Sequence, residues 1–177
     1  MSASADDTPD SINFSRLYRA HARDVHRFAL FLSGDATAAD DIVSETFVRA
    51  WQARSRLDLT TVKAYLFAIA RNLYLQQRRG GNRSGPLDDQ LADPAPGPHE
   101  RIQARRNLNT VLSALQQLPE VDRAAVLMRA HDEMPYDDIA KALGISVSSA
   151  KVKVHRARLK LAEARRGDER PAEKGGA

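Results

Sequence analysis

The stretch from Ser146 to Arg166 offers the clearest chemistry in this chain, with seven lysines or arginines against one acid. Cations at that density suit a polyanion, most often nucleic acid, although charge alone also fits a solvated helix face. Val147, Ala150, Val154, Ala157 and Leu161 recur at steps of three and four, which makes them one inward stripe of a helix. Facing outward are Ser148, Ser149, Lys151, Val152, Lys153, His155, Arg156 and Arg158, a mixture of hydrogen-bonding, cationic and methyl groups suited to a DNA major groove. A second constellation, Arg71, Asn72, Tyr74, Gln76, Gln77, Arg78 and Arg79, interleaves cations with amides and an aromatic ring. Arginines there can hold phosphates while tyrosine or asparagine engages an exposed base. Stacking contributes about 1 to 3 kcal/mol per base against an unstacking cost of a few kcal/mol. Tyr65 and Phe67, by contrast, read as core aromatics.

Catalysis finds no support. The acid pairs Asp40–Asp41 and Asp137–Asp138 are adjacent on predicted helices, about 100° apart, so neither pair aims both carboxylates at one metal ion. The five histidines lack the i, i+4 pair with an intervening glutamate used by helical zinc sites, and no glycine-rich phosphate loop opens a helix. With no cysteine there is no thiolate ligand or nucleophile. No catalytic residue, metal or cofactor is therefore expected, and the chain is read as a non-enzyme.

The elements that must position these groups are helical throughout. Phe14, Leu17, Tyr18, His21, Val25, Phe28 and Leu32 form the stripe of a first helix that Gly34 stops. Thr37, three before Asp40, predicts a capping-box start for a second helix along Ile42, Val43, Phe47, Ala50 and Trp51. After a loop at Arg54 to Thr61, a third helix buries Val62, Tyr65, Leu66, Ile69 and Leu73 and stops at Gly80–Gly81. Four of nine glycines and four of eight prolines fall between Gly80 and Glu100, which reads as a linker, partly stiffened by Pro94, Pro96 and Pro98. Beyond it, Leu108, Val111, Leu112 and Leu115 predict a helix ending at Leu118, and Pro119 opens the next, along Val121, Ala125, Val126 and Met128. Tyr136 to Leu143, a turn at Gly144 and a long helix capped by Ser146 and running to about Arg165 complete a helix-turn-helix.

The fold class is thus all-α, two small helical domains joined by a flexible Pro/Gly-rich linker. The divisions are a disordered N-terminus at 1–10, a first domain at 11–80, the linker at 81–100, a helix-turn-helix domain at 101–166 and a disordered tail at 167–177. The two modules are expected to hold two separated sites. Residues 1–100 carry 12 basic and 13 acidic side chains and residues 101–177 carry 15 and 10, so the net charges are −1 and +5 and basicity sits in the second module. The longest apolar run, Ala64 to Ala70, is seven residues, against the roughly 18 to 20 of a membrane span. No membrane insertion is expected, Met1 to Asp10 shows no targeting pattern, and a cytoplasmic location is read.

With these residues assembled, the chain resembles the extracytoplasmic-function group of bacterial sigma factors, of the sigma-70 family, over roughly Asn13 to Arg165. Ala39-Asp40-Asp41-Ile42-Val43-Ser44-Glu45-Thr46-Phe47-Val48-Arg49-Ala50-Trp51 is similar to the family's region 2.2, and Met134 to Leu161 to its region 4 helix-turn-helix. The resemblance implies promoter recognition and transcription initiation with the RNA polymerase core enzyme, which supplies the chemistry. It implies that Asp41, Ile42, Ser44, Glu45 and Arg49 dock on the β′ clamp helices of that polymerase, with Ser44 standing where glutamine is usual. Asn72 matches a position near the minus-ten element, with Arg71, Arg78 and Arg79 nearby for phosphates. Lys151, Val152, His155 and Arg156 match positions facing the minus-thirty-five element, flanked by Ser148 and Ser149, while Lys153 and Arg158 match phosphate grips. Val152 replaces a small polar residue and offers only methyl contact, and Pro135 replaces the serine or threonine cap of the bracing helix. Linker acids Asp88, Asp89, Asp93 and Glu100 fit a path through the polymerase cleft, and ordinary solubility explains them equally well. An anti-sigma factor is the further partner implied.

Two other readings stay open on sequence. A stand-alone helix-turn-helix regulator would bind a palindrome tightly as a dimer without polymerase. A protein-interaction module would have no DNA role and would be indifferent to loss of Lys151 and Arg156.

Overall fold

Short acceptor side chains begin the first two helices, because each can satisfy an N–H that a helix start leaves unpaired. In the computed structural model, which describes residues 13–57, 61–81 and 98–168, Asn13 accepts from the Arg16 N–H at 3.3 Å and opens α1 (Phe14–Ser33). Asp35 accepts from the Ala38 N–H at 2.6 Å and opens α2 (Ala36–Gln52). The expected start at Thr37 is thus replaced by Asp35. Gly34 at φ 73° turns the chain so sharply that Asp35 is already the extended residue before the helix, and Thr37 falls inside the first turn. Replacing Asp35 by alanine should lower stability by about 1 kcal/mol, read as a shifted denaturation midpoint.

After a short 3₁₀ turn at Arg54–Arg56 come α3 (Val62–Arg79), α4 (Pro98–Gln117), α5 (Glu120–Asp132), α6 (Tyr136–Leu143) and α7 (Val147–Asp168). No strand occurs among the described residues, in keeping with the all-α reading. The N-terminal segment 1–10, the linker acids Asp88, Asp89 and Asp93, and the tail from 169 lie outside the described residues. Pro98, expected to extend the linker, instead heads α4. Its missing N–H is one a helix start leaves unpaired anyway.

Helices α1 to α3 pack around Val25, Phe28, Leu32, Ile42, Phe47, Leu66 and Phe67, with the Phe28 and Phe67 rings stacked 4.5 Å apart. Four aromatics depart from expectation. Phe14 and Tyr18 lie at the surface and close over Phe47 and Trp51 in edge contacts of 4.9 to 6.4 Å. Tyr65, expected inside, is exposed, while Tyr74, expected to meet a base, is buried.

The burial of Tyr74 has a cause in the second half of the chain. Ala124, Ala125, Met128 and Met134 continue the core of α1–α3, so the two halves dock rather than standing apart. Arg123, 5% exposed, donates to the Leu32 carbonyl at 2.6 Å and to the Tyr74 hydroxyl at 3.4 Å across this junction, and to Gln116 and Leu118 in its own half. The Leu32 carbonyl ends α1, where the helix dipole favours a cation. Gln116 donates to the Phe31 carbonyl at 3.0 Å. Arg71 on α3 grips Glu120 on α5 with two hydrogen bonds of 2.6 and 2.8 Å, at side-chain exposures of 12% and 11%.

Asp24 on α1 joins Lys63 at 2.6 Å and His131 on α5 at 2.8 Å. Burial alone would raise its carboxyl, but hydrogen bonds from Lys63 and His131 together hold it below the usual carboxylate range. Burial pushes the neighbouring His21 imidazole down, and Lys63 adds to the effect. A carboxyl lowered on folding contributes stability above its unfolded pKa of about 3.9, and loses it as the pH falls through the folded value. Thermal melts should therefore show Asp24→Asn less stable than the natural chain at pH 7, with the gap closing as the pH falls below about 3.9.

Candidate nucleic-acid interface

The helix-turn-helix is built locally by turn chemistry. Gly144 takes φ 66°, its N–H reaching the Ala140 and Lys141 carbonyls, and the Ile145 N–H follows to the Ala140 carbonyl at 3.0 Å. A Cβ there would meet nothing, so the positive φ is what calls for glycine. The Ser146 hydroxyl accepts from the Ser149 N–H at 3.1 Å and caps α7 as expected. Helix α6 has no side-chain cap, and Pro135 stands at that position.

Ala150, Val154 and Ala157 are fully buried and fix the rotation of α7. Ser148, Lys151, Val152, His155, Arg156 and Arg158 are exposed, while Ser149 and Lys153 are half-buried. The Lys151 ammonium lies 5.8 Å from the centre of the Tyr136 ring, whose other cation is Arg129 at 4.9 Å. Beneath α7, Asp122 faces Lys153 and Arg156. Leu159, exposed beyond Val152 along the same helix, was not singled out by the sequence.

On α2, Asp41, Ser44 and Glu45 are exposed along one face. Arg49 is half-buried and donates to Glu45 at 2.8 Å. Ile42, read by resemblance as a docking residue, is instead 1% exposed, because its i−3 and i+4 relation to the buried Ala39 and Thr46 puts it on the inward stripe, as the apolar period predicts. Val48, exposed on the face of Ser44 and Glu45, is the apolar group the sequence reading missed there. At the end of α3, Asn72, Arg78 and Arg79 are exposed, with Asn72, Gln76 and Arg79 in one row. Arg71 is not with them, being engaged by Glu120.

Arg123, Asp122 and Glu120 were missed altogether. A signal existed: Ala124-Ala125-Val126-Leu127-Met128 leaves α5 no polar face, so the charges at its start must also lie inside.

The chain matches the family described as sigma-70 region 2 over residues 17–84 and that described as sigma-70, region 4 over residues 108–161. It is 33% identical over 143 residues to the ECF RNA polymerase sigma factor SigL of Mycobacterium tuberculosis, covering 78% of this chain and 81% of the relative. It belongs to the extracytoplasmic-function sigma factors of RNA polymerase. This sigma factor is also 31% identical over 160 residues to CnrH of Cupriavidus metallidurans, covering 84% of each chain. Among solved structures it is similar to CnrH in complex with the cytosolic domain of CnrY, at a TM-score of 0.66 and 27% identity over 88% of this chain and 89% of the other. RpoE from Bartonella quintana in complex with the anti-sigma factor NepR matches at a TM-score of 0.69 and 25% identity over 88% and 98%. The sigma factor is thus a factor of transcription initiation, and no described helix is long and apolar enough to cross a membrane.

Proposed function

We propose that α7 reads the minus-thirty-five element, that the end of α3 holds the minus-ten element, and that α2 docks on the β′ clamp helices of the core polymerase, in the cytoplasm. What carries this reading is the outward exposure, on one chain with both sigma regions, of Lys151, Val152, His155 and Arg156 on α7 and of Asp41, Ser44 and Glu45 on α2. On α7, Arg158 serves phosphates, and Ser148 and Ser149 flank the reading face. On α3, Asn72 captures a base as the duplex opens while Arg78 and Arg79 hold its phosphates. Val48 joins Asp41 and Glu45 as an apolar point in the polymerase contact, in place of Ile42.

An anti-sigma factor is the second partner of this reading. One sigma-factor relative was solved with an anti-sigma factor and another with the cytosolic domain of CnrY, and each match covers 88% of this chain, hence both of its halves. The docked arrangement of α1–α3 and α4–α7 is then the held state, and promoter binding uses the two halves apart.

The test is transcription by core polymerase from a promoter that responds only when this chain is added. Replacing Asp41 and Glu45 by alanine should weaken core binding about tenfold or more while leaving the melting temperature unchanged, since neither is buried. Unaltered affinity in a titration of core against the labelled double variant would remove the α2 assignment.

A further inference from the structure

Asp122 lies in the first turn of α5, 1% exposed, directly under the recognition helix. Its Oδ1 accepts from the Lys153 ammonium at 3.3 Å. Its Oδ2 has no hydrogen-bond partner among the described residues and faces an Arg156 guanidinium nitrogen at 3.9 Å. Lys153 and Arg156 are three apart on α7, so one buried carboxylate addresses cations on successive turns. Its attraction is poorly screened there, because the side chain is 1% exposed.

The two cations respond differently. The Lys153 side chain is 25% exposed, drawn in along the flank of α7. Arg156 is 57% exposed, with one edge of its fork near Asp122 and the rest free. A guanidinium reads a guanine edge only when its planar fork is held in register, and in water its long stem samples many rotamers.

We infer that Asp122 is a positioning residue that sets the specificity of the recognition helix. It keeps the Lys153 charge away from the DNA backbone and orients Arg156 toward a single upstream base. Lys153 is then an internal counter-ion rather than the phosphate grip its place in the sequence implied. The inference rests on the reading of α7 as the upstream-element helix, and the experiment separates the two.

The full chain is combined with saturating core polymerase and a promoter library randomised across the upstream element, and binding is followed against potassium chloride concentration. Arg156→Ala should lose the preference at one base position, and an unchanged library profile in that variant would overturn the reading of α7 itself. Asp122→Asn should relax the preference at that same position about tenfold. It should also steepen the slope of log affinity on log salt by about 0.9, as Lys153 is released to a phosphate. Adding Lys153→Gln to Asp122→Asn should cancel the extra slope. An Asp122→Asn chain with the natural slope and base profile overturns the inference, as does one whose affinity falls equally for all bases. Asp122→Ser, which removes the charge without adding bulk, answers the same question where the asparagine chain does not fold.

Discussion

Replacing Glu120 by alanine should weaken the docking of the two halves by about 3 to 5 kcal/mol, the usual cost of stripping one partner from a buried ion pair. Arg71, 12% exposed in the intact pair, would lose both of its hydrogen bonds to Glu120. Glu120 also lies in the first turn of α5, where a carboxylate contributes about 0.3 to 1 kcal/mol with the helix dipole. That smaller effect cannot account for a loss of several kcal/mol, so the size of the change distinguishes the bridge from the dipole. Urea denaturation should show a lower midpoint or two separated transitions, and small-angle scattering a larger radius. Placing leucine at both Arg71 and Glu120 should restore most of the stability, because a buried pair and a well-packed apolar pair are often nearly equivalent. Unchanged stability and radius in Glu120→Ala would show that the bridge does not hold the halves together.

Loss of Lys151 and Arg156 together should cost about 2 to 6 kcal/mol in upstream recognition, from about 1 to 3 kcal/mol per base contact. Stability should scarcely change. Among the described residues Lys151 meets the Tyr136 ring at an exposed position, a type of interaction of about 0.5 to 1 kcal/mol. Arg156 contributes through a long approach to Asp122. Promoter selection by the reconstituted holoenzyme and a thermal melt of the double variant read the two effects separately. A normal promoter profile, or a collapsed melt, would contradict the assignment.

Much of the helical architecture was legible because local rules determine it. The stripe Ala150, Val154, Ala157 and the turn at Gly144 repeat in the structure as they stand in the sequence, since a three-and-four period and a positive φ need no distant partner. The same rule predicted an exposed reading face on α7, and Lys151, Val152, His155 and Arg156 are exposed. It failed at the edges of stripes. Tyr18 and Tyr65 each lie at the margin of an apolar row, and which side of the row is inside depends on what packs against it.

By itself, then, the sequence determined seven helical segments, their turns, the outward cations of α7 and the membership of two sigma regions in one chain. Only the tertiary structure decided that Arg71 meets Glu120 across 49 positions, that Arg123 is buried against α1, and that Lys153 turns inward to Asp122. The reason is physical. A charge on a helix has the same periodic signature whether it meets water, phosphate or a carboxylate, and its partner is chosen only when two helices close and exclude the water between them.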